Sequence, residues 1–349
     1  MKHLLIQLVG GQSLSQTQAE EAFELIMSGQ AAPAQVGAML AMMSQRGPSE
    51  DELVGAASVM RRKVVPVQVP EGFTAIDTCG TGGTHSPTFN ISTTAGIIAA
   101  AAGHRHGLCV AKHGNRSVTS ATGSSQVLEA LGVKLTVTPE VLTRCLREAG
   151  FCFCFAPLHH PAMKHAGPIR AELGFRTIFN LVGPLTNPAG VSCQLMGVYA
   201  AELTPLIARV LQRLGTQRAM VLHGTLPVAI GGGALGELTP ISHTHISEFS
   251  PGQPLHTHAM QADPKVDAQQ WLQAVKVETP DASAQLVRAI LQGQGGLARD
   301  TAELNAAAAL VVGGIADSVE QALPMVREAV DRGDALRVLE QVAAITQKS

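Results

Sequence analysis

"TAIDTCGTGGTHSPTFNISTTAGIIAAAAG", Thr74 to Gly103, reads as a short apolar run, a Gly/Thr-rich turn and a small-residue helical run. Strand, turn and helix in that order make one α/β unit. In a parallel sheet such a turn falls at the strand's carboxyl end, where ligands bind. Gly80, Gly82 and Gly83 let backbone N–H groups turn toward an anion. Ser92, Thr93 and Thr94 lie near the helix start, where exposed N–H groups and the dipole favour phosphate. No Lys follows the glycines as in a Walker motif, and the spacing is not GxGxxG.

The same alternation continues downstream in "LCVAKHG" (108–114), "SSQVLEALGV" (124–133), "FCFCFAP" (151–157), "CQLMGVYA" (193–200), "ELTPLIARVLQRLG" (202–215) and "RAMVLHG" (218–224). It predicts a parallel sheet. Residues 281–345 read as mostly helical, and the polar stretch Pro251–Ala268 as a surface excursion. Upstream, residues 1 to about 65 read as helices only. Ser15 and Gln18 form a capping box, and Ala19, Ala22, Phe23, Ile26 and Met27 follow helical spacing up to Gly29. A second helix carries Val36, Met39, Leu40 and Met43 and stops at Gly47-Pro48. Ser49 and Glu52 cap a third, running to about Arg62.

Length and composition agree with two domains: 349 residues, 46% of them hydrophobic. A net charge of −2 gives no reason to expect nucleic-acid or membrane affinity, and 3% aromatics argue against a base-stacking platform. The six Cys form no CxxC pair and read as reduced, mostly buried cytosolic thiols. In "FCFCF", Cys152 and Cys154 share one strand face, so their spacing reflects strand geometry, not metal binding. The N-terminus has too short an apolar stretch for a signal peptide, and no run is long and uniform enough to span a bilayer.

Two further regions carry chemistry. "AKHGNRSVTSATGSS" (111–125) repeats the turn-after-strand arrangement, with Lys112 and Arg116 as cations, Gly114 and Gly123 as bends, and Ser117, Thr119, Ser120, Ser124 and Ser125 as hydroxyl donors. Two neighbouring anion-gripping loops suit a ligand with two phosphate groups. "FAPLHHPAMKHAGPIRAELGFRTIFN" then gathers His159, His160, Lys164, His165, Arg170 and Arg176. Arg170 is the sharpest candidate there, because a guanidinium holds a carboxylate bidentately. His243/His245 and His256/His258 have metal-pair spacing, but no carboxylate or Cys at suitable sequence spacing completes either. "GGGALG" (231–236) reads as a flexible turn.

The ordered segments "GTGG", "FNIST", "KHGNRS", "GSS", "HHPAMKHAGPIRAELGFRTIFNLVGPLTNPA" and "NAAAALVVGG" resemble the anthranilate phosphoribosyltransferase family over nearly the whole chain. The resemblance implies a type III phosphoribosyltransferase, nucleoside phosphorylase-like fold of the α/β class. A small all-helical domain (1–69 plus about 162–187) would join a larger α/β domain (70–161 plus 188–349) with a mostly parallel central sheet. It implies a cytoplasmic homodimer of tryptophan biosynthesis. That enzyme would move phosphoribosyl from phosphoribosyl pyrophosphate to the amine of anthranilate, with Mg2+ and release of pyrophosphate. By position, Gly80, Gly82, Gly83, Thr84, Asn90, Ser92, Thr93, Lys112 and Ser124 would hold phosphoribosyl pyrophosphate. His113, Asn115, His160 and Arg170 would serve anthranilate, and Ser92 and Glu237 would bind metal.

The chain departs from the family pattern at Thr84, at Gln126 and at Gly236-Glu237, places where the pattern carries acids. These departures imply a weakened or altered magnesium site. They leave two alternatives beside anthranilate transfer: a paralogue with a different aromatic acceptor, or a non-catalytic nucleotide- or partner-binding protein of the same fold.

Overall fold

The computed structural model describes residues 1–82, 87–116 and 123–348. Its N-terminal part is helical: α1 (Lys2–Val9), α2 (Gln16–Met27), α3 (Pro33–Arg46) and α4 (Glu50–Arg62). Local chemistry sets these boundaries. Ser15 Oγ accepts from Gln18 N while Gln18 Oε1 accepts from Ser15 N, and Ser49 and Glu52 repeat the exchange. Gly47, at φ 84°, stops α3 in the left-handed region that suits glycine. The helix α1 has no sequence-readable cap; it forms because Leu4 and Leu8 share one buried face.

The remainder begins with β1 (Thr74–Asp77), α5 (Ile91–Gly103), β2 (Leu108–Gly114), α6 (Ser124–Ala130), α7 (Pro139–Ala149) and β3 (Phe151–Phe155). Short helices α8 (Ala156–His159), α9 (Gly167–Leu173) and α10 (Ile178–Val182) follow, then β4 (Cys193–Gly197), α11 (Leu203–Arg213) and β5 (Arg218–Thr225). The chain continues through β6 (Ala234–Leu235), β7 (Thr244–Phe249) and β8 (His256–Met260). It ends in α12 (Ala268–Val275), α13 (Pro280–Leu291), α14 (Leu297–Val312), α15 (Val319–Asp331) and α16 (Asp334–Gln347).

The described strands form one sheet of order β3-β2-β1-β4-β5-β7-β8, with β6 beside β5. From β3 to β5 all pairs are parallel; β6, β7 and β8 add antiparallel pairs. The sheet is therefore mixed. The expected excursion 251–268 contains a real edge strand, β8, whose start in three consecutive polar residues, without apolar alternation, hides it in the sequence. β3 is buried on both faces, and Cys152 and Cys154 do share one, their sulfurs 3.8 Å apart. All six thiols are buried and unpaired.

Two hydrophobic cores result. The larger joins the sheet to α5, α7 and α13–α16. The smaller joins the N-terminal helices to Ile178, Phe179 and Leu181 of α10, and continues through α11 into Val221 of β5. Between the cores lie the carboxyl ends of β1 and β2 and the chain at 159–160 and 183–189, where the candidate site sits.

Candidate active site

β1 occupies the middle of the parallel strands, with β2 on one side and β4 on the other. Chain connections diverge there, and in open α/β sheets ligands bind beyond the strand ends at such a point. Three glycines let the backbones crowd together at its rim. A methyl on Gly80 would lie 2.8 Å from Gly197 O, and one on Gly197 would lie 2.6 Å from both Cα and the carbonyl carbon of Gly236. Thr81 N donates to Gly197 O at 2.9 Å and locks the turn after β1 onto the end of β4.

Lys112, near the carboxyl end of β2, is 2% exposed and reaches across to the neighbouring turn. Its Nζ donates to Thr78 O at 2.9 Å, and lies 3.4 Å from Thr78 Oγ1 and 3.3 Å from Ser92 Oγ. Burial lowers its pKa; the charges of Asp77, Cys79 and Glu237 oppose that shift. Asp77 is fully buried. It accepts from the backbone N–H groups of Cys79 (3.0 Å) and His113 (3.1 Å) and from Asn187 Nδ2 (2.7 Å). Burial raises its pKa, and Lys112 followed by those hydrogen bonds pulls it back.

Next to Lys112, His113 and His160 are both buried and meet Nε2 to Nε2 at 3.2 Å. Desolvation first, then mutual and neighbouring imidazole charge, pushes His113 down to about 3; desolvation and His159 push His160 down to about 4. The pair is a neutral, hydrogen-bonded wall rather than a source of charge.

The other expected site residues divide. Asn90 precedes α5, its side-chain oxygen accepting from Ser283 Oγ at 2.9 Å. Ser92 opens α5 beside Lys112. Thr93 is fully buried, and its Oγ1 is one of the buried polar atoms left without a partner. Ser124 starts α6, so close to Gly114 that a methyl there would meet its Oγ at 2.8 Å. Gly80 and Gly82 are exposed on the turn, Gly82 at φ 66°. Gly83, Thr84, Ser117, Thr119 and Ser120 lie outside the described residues. Asn115 is exposed, its Oδ1 accepting from Arg116 N.

The expected cation cluster at 159–176 does not converge. His159 is tied by Nδ1 to Val65 O, and Gly29 backs directly onto the His165 ring. Arg176 lies over Tyr199 at 4.5 Å, and Arg170 over Phe179 at 5.2 Å. Helical turns point neighbouring side chains in different directions, which a count within eighteen residues ignores. Arg170 keeps a partly exposed guanidinium on an aromatic face.

Glu237 follows β6, and the loop is held from behind by Asn305 of α14. Asn305 accepts from Leu238 N at 2.9 Å and donates to Leu238 O at 2.8 Å. Burial raises the pKa of Glu237, and Lys112 opposes this. Elsewhere, β7–β8 register sets Glu248 opposite His256, and its Oε1 lies 3.7 Å from His258 Nδ1. The two imidazoles stack with centroids 5.1 Å apart, an arrangement that does not aim both nitrogens at one ion. Among the described residues no group of three or more His, Cys, Asp or Glu is placed to hold a metal. No described helix is long and apolar enough to cross a membrane.

The sequence reading missed Asp77, Thr78, Asn187, Ser283 and Asn305 as site-building residues. The available signal was a charged residue closing a strand that is otherwise buried, and an Asn-Pro step at 187–188.

Residues 72–336 match the a/b domain of a glycosyl transferase family, and residues 2–64 its helical bundle domain. The anthranilate phosphoribosyltransferase of Symbiobacterium thermophilum is 42% identical over 348 residues, covering 100% of this chain and 98% of that protein. That of Methylorubrum extorquens is 43% identical over 346 residues, covering 99% and 98%. Among solved structures, the anthranilate phosphoribosyltransferase of Thermus thermophilus superposes with a TM-score of 0.85 at 34% identity, covering 99% of both chains. The Saccharomyces cerevisiae enzyme, solved in complex with PRPP and Mg, has a TM-score of 0.84 at 24% identity, covering 99% of this chain and 98% of that one, a likeness of fold. End-to-end likeness on one shared architecture means that this chain belongs to the anthranilate phosphoribosyltransferase family.

Proposed function

We propose that the chain joins the amine of anthranilate to C1 of phosphoribosyl pyrophosphate and releases pyrophosphate. One observation carries this reading: the Lys112 ammonium, buried where two loops leave β1 and β2 and held against Thr78 and Ser92. A buried cation held in place by a carbonyl and two hydroxyls is matched to an anion that gains charge as the C1–O bond breaks. The turn at Gly80–Gly82, Asn90, Ser92, Thr93 and Ser124 hold the diphosphate and ribose.

Anthranilate lies against His113, Asn115 and His160, with Arg170 steering its carboxylate. The neutral His113–His160 wall suits an aromatic body, since it offers ring faces without charge. The aniline nitrogen is neutral at physiological pH and attacks C1 without prior deprotonation; as the C1–N bond forms and the C1–O bond breaks, one N–H proton leaves to solvent or to the departing pyrophosphate, and the chain's main contribution is alignment.

Ser92 Oγ lies 3.3 Å from Lys112 Nζ, and the Glu237 charge acts on Lys112; a hydroxyl and a carboxylate are oxygen ligands of the kind magnesium takes beside waters and substrate phosphates. Mg2+ bound there would neutralise charge on the departing pyrophosphate. With one carboxylate, the protein's own share of such a site would be small, and a bound ion would depend mostly on the oxygens of the diphosphate.

The helical domain comprises 1–69 with about 162–187; the core shared by Phe23, Met39, Ile178 and Phe179 supports that division. A homodimer accords with the exposed Ile6 and Val9 on α1. The buried, unpaired thiols favour a cytoplasmic setting. Loss of anthranilate fluorescence on mixing with phosphoribosyl pyrophosphate, across a magnesium titration, tests the reading; no turnover at any magnesium concentration defeats it.

A further inference from the structure

The β1–β2 ladder stops early. Its paired residues run from Thr74↔Leu108 to Ile76↔Val110, whereas β2 stays paired with β3 as far as Gly114↔Phe155. Beyond Ile76 the strands part, and each leads into one of the two loops assigned to the diphosphate. Backbone pairing no longer sets the distance between them. Side chains fill that role.

Asp77 Oδ1 accepts from Cys79 N, at the start of the first loop, and from His113 N, on β2 one residue before the strand gives way to the second loop. Its Oδ2 accepts from Asn187 Nδ2 at 2.7 Å, and the same nitrogen donates to Ala111 O on β2, also at 2.7 Å. Asn187 Oδ1 in turn accepts from Ala189 N at 2.8 Å, fixing the amide's orientation. Asn187 lies just after α10 and the turn at 183–185, on the chain's return from the helical layer. The groups hydrogen-bonded to the Asp77 oxygens are all donors, so the side chain serves there as an acceptor. One carboxylate therefore meets the first loop, the end of β2 that leads into the second loop, and the returning segment.

We propose that Asp77 and Asn187 form a positioning clamp that sets the spacing of the two diphosphate loops across the gap where the β1–β2 ladder ends. The proposal rests on the phosphoribosyl reading only for the identity of the ligand. Asp77 touches backbone and Asn187 rather than substrate, so it acts through the loops.

Asp77→Asn keeps the side-chain shape but sets an amide nitrogen against Asn187 Nδ2; Asn187→Ala removes the clamp's other half and leaves the carboxylate. Leu339→Ala, a fully packed α16 position away from the site, serves as a stability control. Binding of phosphoribosyl pyrophosphate with magnesium is measured by calorimetry below every variant's melting temperature. Expected is a loss of about tenfold or more in each clamp variant, none in the control, and a double variant no weaker than the worse single one. Where Asp77→Asn does not fold, Asn187→Ala carries the same test. Affinity within about threefold of the parent in the folded clamp variants, or an equal loss in Leu339→Ala, overturns the proposal. The measurement does not depend on the acceptor: a chain that binds phosphoribosyl pyrophosphate but does not turn over anthranilate defeats the functional reading and leaves the clamp standing, while a chain that binds none defeats both.

Discussion

Gly197→Ala tests whether the glycine seam at the site's rim positions Glu237. A methyl at this residue would come within 2.6 Å of the Gly236 Cα and carbonyl carbon. Carbon atoms rest about 3.5–4.0 Å apart, so the two backbones must separate by about 1 Å. Neither yields easily. Gly197 O is bound by Thr81 N and Val198 N donates to Leu222 O, while Leu238 is pinned through both backbone groups to Asn305. Overpacking of this kind costs about 1–3 kcal/mol, visible as a melting temperature lowered by a few degrees. The larger effect falls on rate: a displacement of about 1 Å at a substrate-positioning element costs about 100-fold. The assay is kcat/KM for phosphoribosyl pyrophosphate, followed by anthranilate fluorescence, with Gly295→Ala as control because a methyl there meets nothing within 4 Å. A Gly197→Ala enzyme with kcat/KM within about threefold of the parent would refute the reasoning.

Lys112→Met should lower kcat/KM for phosphoribosyl pyrophosphate by about 100- to 1000-fold, the scale of losing one preorganised charge donor, as measured at saturating anthranilate. Because burial lowers the Lys112 pKa, the parent's activity should decline on the alkaline side at a pH below that of an ordinary lysine, and pH–rate profiles of parent and variant should differ in that limb. His113 and His160, held down to about 3 and about 4, stay neutral in the folded chain while the unfolded chain protonates near pH 6.5. Stability they share is complete above that pH and is lost as pH falls toward the folded values, by about 1.4 kcal/mol per group per pH unit. Denaturant titrations between pH 4 and about 7 should show that slope, and His113→Gln/His160→Gln should flatten it. Glu52 is fully buried and accepts from Arg46, Leu14 N and Ser49 N, so Glu52→Ala should cost about 3–5 kcal/mol in thermal denaturation. Its kcat/KM below the melting temperature should stay at the parent's value.

What could be read from the sequence was local. The boxes at Ser15–Gln18 and Ser49–Glu52, the stop at Gly47 and the two-faced strand Phe151–Phe155 are each decided within four or five residues. Lys112, Ser92 and the glycine turn were legible for the same reason, because strand end, turn and helix start follow one another along the chain. The unread parts depend on register between distant segments. Asp77 meets Asn187 across 110 positions, and Leu238 meets Asn305 across 67. No spacing rule reports such pairs. β8 escaped because an edge strand needs no apolar alternation, and the basic run 159–176 misled because charge counted along a chain says nothing about direction in space.

The clamp and the ammonium together explain why so much polarity is buried where an apolar core would be more stable. Lys112 and Asp77 both lose their hydration, and their mutual attraction does not by itself offset that cost. Donors that must face a developing negative charge have to be oriented before it develops, otherwise their reorganisation adds to the barrier. Here the orientation is completed during folding: Thr78 and Ser92 aim Lys112, Asp77 and Asn187 space the loops, and Asn305 backs Glu237. The stability given up at these residues is thus the energetic counterpart of a diphosphate site that stands ready when its ligand arrives. Substitutions that relieve the polarity should therefore stabilise the chain only by slackening the site.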